Sequence, residues 1–70
     1  MRISARNIVA GTIVAITKGA TTAHVRLDIG NGNVLTASIT NEAIDELGLA
    51  VGKPASAIIK ASDVIVGVPD

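Results

Sequence analysis

The stretch TAHVRLDIGNGNVLTASI, from Thr22 to Ile39, carries the clearest structural pattern in the sequence. Apolar and polar residues alternate on both sides of Gly30-Asn31-Gly32-Asn33, as in β-strands that place one face on a core and the other in water. Gly and Asn tolerate the positive φ angles that tight hairpin turns require. The pattern therefore predicts a β-hairpin of strands Thr22–Ile29 and Val34–Ile39. The side chains predicted to face the core are Ala23, Val25, Leu27, Ile29, Leu35, Ala37 and Ile39.

Segments with strand composition lie on either side of this hairpin. Asn7–Thr17 is rich in Ile, Val and Thr at both odd and even positions. Both faces of this strand must therefore pack against other parts of the protein. Gly11, in its middle, indicates a bulge or a close approach of another backbone. Ala55–Ile59 and Val64–Val68 are predicted as the last two strands. Because the first and last strands are apolar on both faces, we expect them at subunit interfaces.

One short helix is predicted between the hairpin and the last two strands. Thr40 is a suitable N-cap, Glu42 places negative charge in the first turn, and Gly48 suits a left-handed C-terminal position. A helix of about two turns is not stable alone and must pack on the sheet. Three strands, a helix and two more strands predict one all-β domain over residues 1–70, a five-stranded OB-like barrel. The apolar stripe predicted to face the protein consists of Ala43, Ile44 and Leu47.

Composition restricts the functional classes. The 70 residues have zero net charge, no aromatic residue and no Cys. Neutral charge and missing stacking platforms disfavour nucleic-acid binding, and without Cys there is neither a disulfide nor a thiolate metal site. A chain this short buries only about 60% of its unfolded surface, so we expect further burial through a homo-oligomer. No apolar leader and no run of about 20 apolar residues is present, which predicts a soluble cytoplasmic protein with no membrane partner.

The sequence offers little for catalysis. A Ser-His-Asp set could be drawn from Ser4 or Ser62 with His24 and Asp63, but no nucleophile elbow accompanies it, and we predict that the protein is not an enzyme. His24 has two interpretations. It is either a solvent-facing residue of an alternating strand or a donor near an oligomer axis. One His without Cys cannot hold zinc within a single chain.

Two segments combine a cation with a hydroxyl and a small residue: Ser4-Ala5-Arg6-Asn7 and Lys60-Ala61-Ser62. The planar Arg guanidinium, the Lys ammonium group, the Ser hydroxyl and the backbone N–H groups left accessible by a small residue are the donors that a small anion needs. Either cation alone is more often a solvated surface charge. Micromolar affinity requires a net binding free energy of about 8 kcal/mol, after an association cost of about 4–15 kcal/mol has been offset. Each charged hydrogen bond contributes roughly 1.5–3 kcal/mol. Five or six donors are therefore needed, which predicts a site shared between subunits.

Three stretches together resemble the molbindin, or Mop, family over essentially the whole chain. They are Ile3-Ser4-Ala5-Arg6-Asn7, the helix with its flanks from Ile39-Thr40 to Glu46-Leu47-Gly48-Leu49, and Ile59-Lys60-Ala61-Ser62 with its Val-rich continuation. The resemblance implies a cytoplasmic protein that binds molybdate or tungstate between the subunits of a hexamer built from three dimers, for storage or homeostasis, with no other cofactor. The contacts that it implies are Ser4, Ala5, Arg6, Lys60, Ala61 and Ser62, with Thr40 from across the dimer.

The same resemblance implies further oxyanion sites on the threefold axis, to which we assign Lys18, Gly19, Ala20, Thr21 and His24. The sequence departs from the family at Ile8, where many members have Gln, and at Ala43, where some have a hydroxyl. A site made only of hydrogen-bond donors suits molybdate, which is a fully deprotonated dianion. Hydrogen phosphate carries a proton that would find no acceptor in such a site. Two alternatives remain, a single-stranded nucleic-acid-binding OB module and a purely structural oligomerisation module.

Overall fold

A computed structural model describes all residues, 1–70. Its elements are strands β1 (Asn7–Lys18), β2 (Thr22–Gly30) and β3 (Asn33–Thr40), helix α1 (Asn41–Leu47), strand β4 (Pro54–Ile59) and a 3-10 turn (Ala61–Asp63). The strands form one antiparallel sheet in the order β3-β2-β1-β4. Although β3 and β4 are its two edges, both line the same groove, so the sheet is curled.

The predicted hairpin is present and slightly longer than expected. Gly30 pairs with Asn33 across a two-residue turn. Asn31 and Gly32, the central residues of that turn, have φ angles of 53° and 76°, as a type I′ turn requires. The Asp28 carboxylate accepts a hydrogen bond from the Gly30 N–H at 2.9 Å. The hairpin is therefore set by local residue chemistry, and its register places alternate β2 side chains in the core.

β1 is one of the two inner strands of the sheet, because it bonds to β2 along one edge and to β4 along the other. Gly11 makes the close approach predicted for it: a Cβ there would lie 2.6 Å from the Asp28 carbonyl oxygen. The irregularity of pairing lies farther along, between Ile13 and Ala15. The extra residue in a bulge reverses the side-chain alternation, so Ile13 and Ile16 both pack in the core although the sequence pattern placed them on opposite faces.

Helix α1 begins and ends where the sequence predicts. The Thr40 hydroxyl oxygen accepts from the Ala43 N–H at 3.1 Å, and Gly48 adopts φ 63° as the left-handed cap. Ile44 is the one buried helical residue and joins the core. Leu47, predicted to share that apolar stripe, is instead 70% exposed, because a helix of seven residues touches the sheet over about one turn.

The core is small for the length of the chain. It consists of Ile13, Ala23, Val25, Leu27 and Ile44. The prediction of a fifth strand over residues 64–68 is wrong for the single chain, and with it the prediction of a closed five-stranded barrel. After the 3-10 turn the last backbone hydrogen bond is donated by the Val64 N–H to the Ala61 carbonyl, so this segment has no sheet partner.

Candidate functional site

The two predicted anion-binding segments meet at one end of the β1–β4 ladder. The last pair of that ladder is Asn7 with Ile59, so Arg6 and Lys60 are the next residues outward on adjacent strands. The Asn7 side-chain amide donates to the Ile59 carbonyl at 3.2 Å and ties the two strand ends together. Antiparallel pairing thus brings together two segments that are more than 50 residues apart in the sequence.

Neither cation at this end has a carboxylate partner within the chain. The ion pair of the structure lies elsewhere, between Lys18 and Asp45. Arg6 and Lys60 are both exposed, and their side chains make no hydrogen bond to other residues. Exposed Ser4 and Ser62 flank them, and Ala5 is half-buried. This strand end, residues 4–6 and 60–62, presents positive charge and hydroxyl donors, and Asp63, the next residue of the 3-10 turn, forms no ion pair with either cation.

Thr40 lies far from this strand end within one chain. It pairs with Thr22, at the end of the hairpin beside Lys18, whereas Arg6 precedes the opposite end of β1. Its hydroxyl oxygen caps the helix, which leaves the hydroxyl hydrogen free to donate. The structure therefore does not unite Thr40 with Arg6 in a single subunit.

The residues predicted for a second site surround the β1–β2 turn. A polar pocket of about 240 Å³ is lined by Thr17, Lys18, Gly19, Thr22 and His24. Lys18 donates to the Asp45 carboxylate at 3.0 Å, so part of its charge is already neutralised. Ala20 and Thr21 are exposed but do not line this pocket. Of the residues predicted for the second site, Lys18, Gly19 and His24 therefore line one pocket.

Sequence reasoning missed the residues that hold this turn in place. The Asn41 side-chain amide donates to the Gly19 carbonyl at 2.9 Å, and the Asn41 backbone N–H donates to the Thr21 carbonyl at 2.9 Å. Asp45 pairs with Lys18 from the same helix. These partners are 20 or more residues from the turn, so no short-range spacing in the sequence points to them.

The arrangement suits anion binding more than other chemistry. Nowhere do three His, Asp or Glu side chains come close enough to hold a metal ion. No helix has the length and apolarity to span a membrane. A cluster of hydroxyls and of cations that form no ion pair can bind an oxyanion through charge-assisted hydrogen bonds.

Comparisons with known proteins show the family of this chain. The TOBE domain model matches residues 3–66. A probable molybdenum-pterin-binding protein of Haemophilus influenzae is 53% identical over 97% of this chain and 99% of its own length. The chain belongs to the TOBE domain family and, within it, to the Mop proteins. Molybdenum-pterin-binding protein 1 of Clostridium pasteurianum is 42% identical over 94% of this Mop chain and 97% of its own length.

Solved structures resemble the Mop chain along almost all of its length. MopII of Clostridium pasteurianum superposes with a TM-score of 0.88 at 39% identity and covers 96% of this chain and 100% of its own. The cytoplasmic molybdate-binding protein ModG, solved with molybdate bound, superposes with a TM-score of 0.93 at 52% identity, over 99% of this chain and 49% of its own. The curled sheet with one short helix is thus the Mop fold, and these relatives are named as binding proteins.

Proposed function

We propose that this Mop protein binds molybdate or tungstate at the interfaces of a homo-oligomer in the cytoplasm, for storage or homeostasis, without catalysis. The observation that carries the proposal is the meeting of Arg6 and Lys60, both without a carboxylate partner, at the paired ends of β1 and β4. The names of its relatives, among them a molybdate-bound protein 52% identical to it, support the choice of anion.

Interface binding follows from the number of donors. Ser4, Arg6, Lys60 and Ser62 lie on an exposed strand end, where water competes for every hydrogen bond. A second copy adds donors and excludes water, and both changes strengthen the charged hydrogen bonds. The free hydroxyl hydrogen of Thr40, far from this end in its own chain, is the donor that we assign to the second copy.

The pocket beside the β1–β2 turn is our proposed second oxyanion site. Lys18 and His24 line it with hydroxyls and no apolar side chain. Asp45 already neutralises Lys18 in part, so one copy of the pocket is a weak site. Copies gathered around a threefold axis would combine three such cations, as the family resemblance implies for Lys18, Gly19, Ala20, Thr21 and His24.

Isothermal titration calorimetry with molybdate tests the first site. We expect Arg6→Ala and Lys60→Ala each to weaken binding at least tenfold while leaving thermal unfolding unchanged, because both side chains are exposed and unpaired. Arg26→Ala and Lys53→Ala, at exposed positions away from the strand end, are the matched controls. Lys18→Ala should lower the number of anions bound without changing the affinity of the first site. Wild-type affinity in both Arg6→Ala and Lys60→Ala would refute the proposal.

The names of several relatives raise a second candidate, a molybdenum-bound pterin. A pterin ring is usually held by stacking on aromatic side chains, and this sequence has none. We therefore expect free molybdate to bind in the same titrations without any pterin. Binding that requires the pterin would favour this second candidate.

A further inference from the structure

The β1–β2 turn has most of its backbone carbonyls bonded and two of its backbone N–H groups free. The Gly19 carbonyl accepts from the Asn41 side-chain amide, and the Thr21 carbonyl accepts from the Asn41 backbone N–H, both at 2.9 Å. The Thr22 carbonyl accepts from the Gly19 N–H at 2.7 Å. Only the Ala20 carbonyl lacks such a partner. The N–H groups of Ala20 and Thr21 donate to no other group of the chain.

These free N–H groups lie beside the pocket of the proposed second oxyanion site. Ala20 and Thr21 stand in the sequence between Gly19 and Thr22, which both line that pocket. Backbone N–H groups attract an oxyanion, whereas carbonyl oxygens repel it. A turn whose carbonyls are bonded elsewhere and whose N–H groups are free can therefore add backbone donors to the cationic side chains of the pocket.

The Asn41 side chain is not explained by stability. Its oxygen atom Oδ1 is buried and accepts no hydrogen bond. A buried acceptor without a donor costs free energy comparable to what one hydrogen bond contributes. The bond from Asn41 to the exposed Gly19 is of the kind that water can replace, so its net contribution is small. The gain and the cost nearly cancel, which leaves the orientation of the turn as the effect of this side chain.

We infer that Asn41 is the positioning residue of the second oxyanion site and that the Ala20 and Thr21 N–H groups are donors to its anion. This inference rests on the proposed function. Asn41 does not line the pocket, so it acts through the turn. Without its amide, the Gly19 carbonyl has no partner and is free to rotate toward the anion, and the neighbouring N–H groups rotate with it.

Asn41→Ala in the intact chain tests the inference, with molybdate as the probe. Isothermal titration calorimetry measures the affinity of each site, and native mass spectrometry counts the anions bound. We expect affinity at the second site to fall about tenfold, as is typical when a residue that orients the contacts of a ligand is removed. The first site should keep its affinity, and the melting temperature should change by no more than about 5 °C. Glu42→Ala, at the exposed neighbouring position, is the matched control and should bind as the wild type does.

Asp45→Asn separates positioning from a general loosening of the helix. The Asp45 carboxylate pairs with Lys18 at 3.0 Å and so reduces the positive charge available to the anion. Its neutralisation should raise affinity at the second site about two- to fivefold, opposite in sign to the effect of Asn41→Ala. If both variants lose the second site, the links from α1 serve only to hold the fold, and the inference is wrong. Wild-type affinity at the second site in Asn41→Ala would also overturn it.

Nuclear magnetic resonance of the wild-type backbone amides tests the donors directly. The Ala20 and Thr21 signals should shift as molybdate fills the second site, and unshifted signals would contradict their assignment as donors. The same titration distinguishes the failures. Absence of any molybdate binding would remove the proposed function and this inference together. Binding only at Arg6 and Lys60 would remove the inference and leave the first site, and binding at both sites with no effect of Asn41→Ala would remove the inference alone.

Discussion

At the residue scale, Gly11 shows how one position without a side chain permits the central pairing of the sheet. Its Cα faces β2 so closely that an added methyl group would lie 2.6 Å from the Asp28 carbonyl oxygen and 3.2 Å from the Ile29 side chain. The nearest atom is backbone, which cannot rotate away. At this spacing of β1 and β2, any side chain at residue 11 would force the two strands apart.

Gly11→Ala should lower the free energy of unfolding by about 1–3 kcal/mol, because β1 and β2 must separate to admit the methyl group. Urea unfolding followed by far-ultraviolet circular dichroism measures the change. Ala10→Ser, at the exposed neighbouring position, adds one heavy atom without this clash and should leave stability within about 0.5 kcal/mol. If Gly11→Ala is as stable as the wild type, the close approach is not a constraint.

At the scale of the elements, helix α1 joins the two proposed anion sites through its first residues. Thr40 caps the helix, and Asn41 holds the β1–β2 turn through the Gly19 and Thr21 carbonyls. Asp45, one turn later, pairs with Lys18. A helix of seven residues with one buried side chain thus depends on its cap and on these polar links for its position.

The two roles of Thr40 can be separated by substitution. Thr40→Asp keeps an N-cap acceptor and favours the positive end of the helix dipole, so the melting temperature should stay close to that of the wild type. The new carboxylate would repel molybdate and donate no hydrogen bond, so we expect affinity to fall at least tenfold. Thr40→Ser keeps both functions and should bind normally. Normal binding by Thr40→Asp would remove Thr40 from the proposed site.

At the scale of the whole molecule, the single chain is an incomplete structure. Five residues of 70 are buried, and large apolar side chains are exposed on the C-terminal segment, on the end of α1 and on β1. Exposed apolar area of this extent is typical of an interaction surface. The proposed anion site at Arg6 and Lys60 is likewise exposed to water in the single chain. Association of copies would bury these apolar side chains and exclude water from the proposed anion site.

If the anion lies between subunits, molybdate must favour the assembled state, since a ligand stabilises the form that binds it. Native mass spectrometry at dilute protein should therefore show larger assemblies with molybdate than without it, with a fixed ratio of anions to subunits. Sulfate at the same concentration is the control for ionic strength. Molybdate bound to monomers, or an unchanged distribution of assemblies, would contradict binding at an interface.

Much of the fold could be predicted from local sequence alone. The turn around Asn31 and Gly32, the alternation of β2 and the Thr40 and Gly48 helix caps depend on residues within a few positions of one another. Short-range chemistry decides such elements, so the pattern of residues is sufficient. The residue types and the family resemblance also predict that Ser4-Ala5-Arg6 and Lys60-Ala61-Ser62 converge, and the register of β1 and β4 places the two segments at the same end of the ladder.

Other features depend on contacts that no local pattern specifies. The bulge at Val14 follows from fitting β1 against two neighbours, and the links from Asn41 and Asp45 to the β1–β2 turn join residues distant in sequence. The sequence by itself determined the four strands that form, where the helix begins and ends, and which residues carry donors. Tertiary structure alone decided that Val64–Val68 stays unpaired, because a strand forms only where another backbone offers hydrogen bonds, and this chain offers none there.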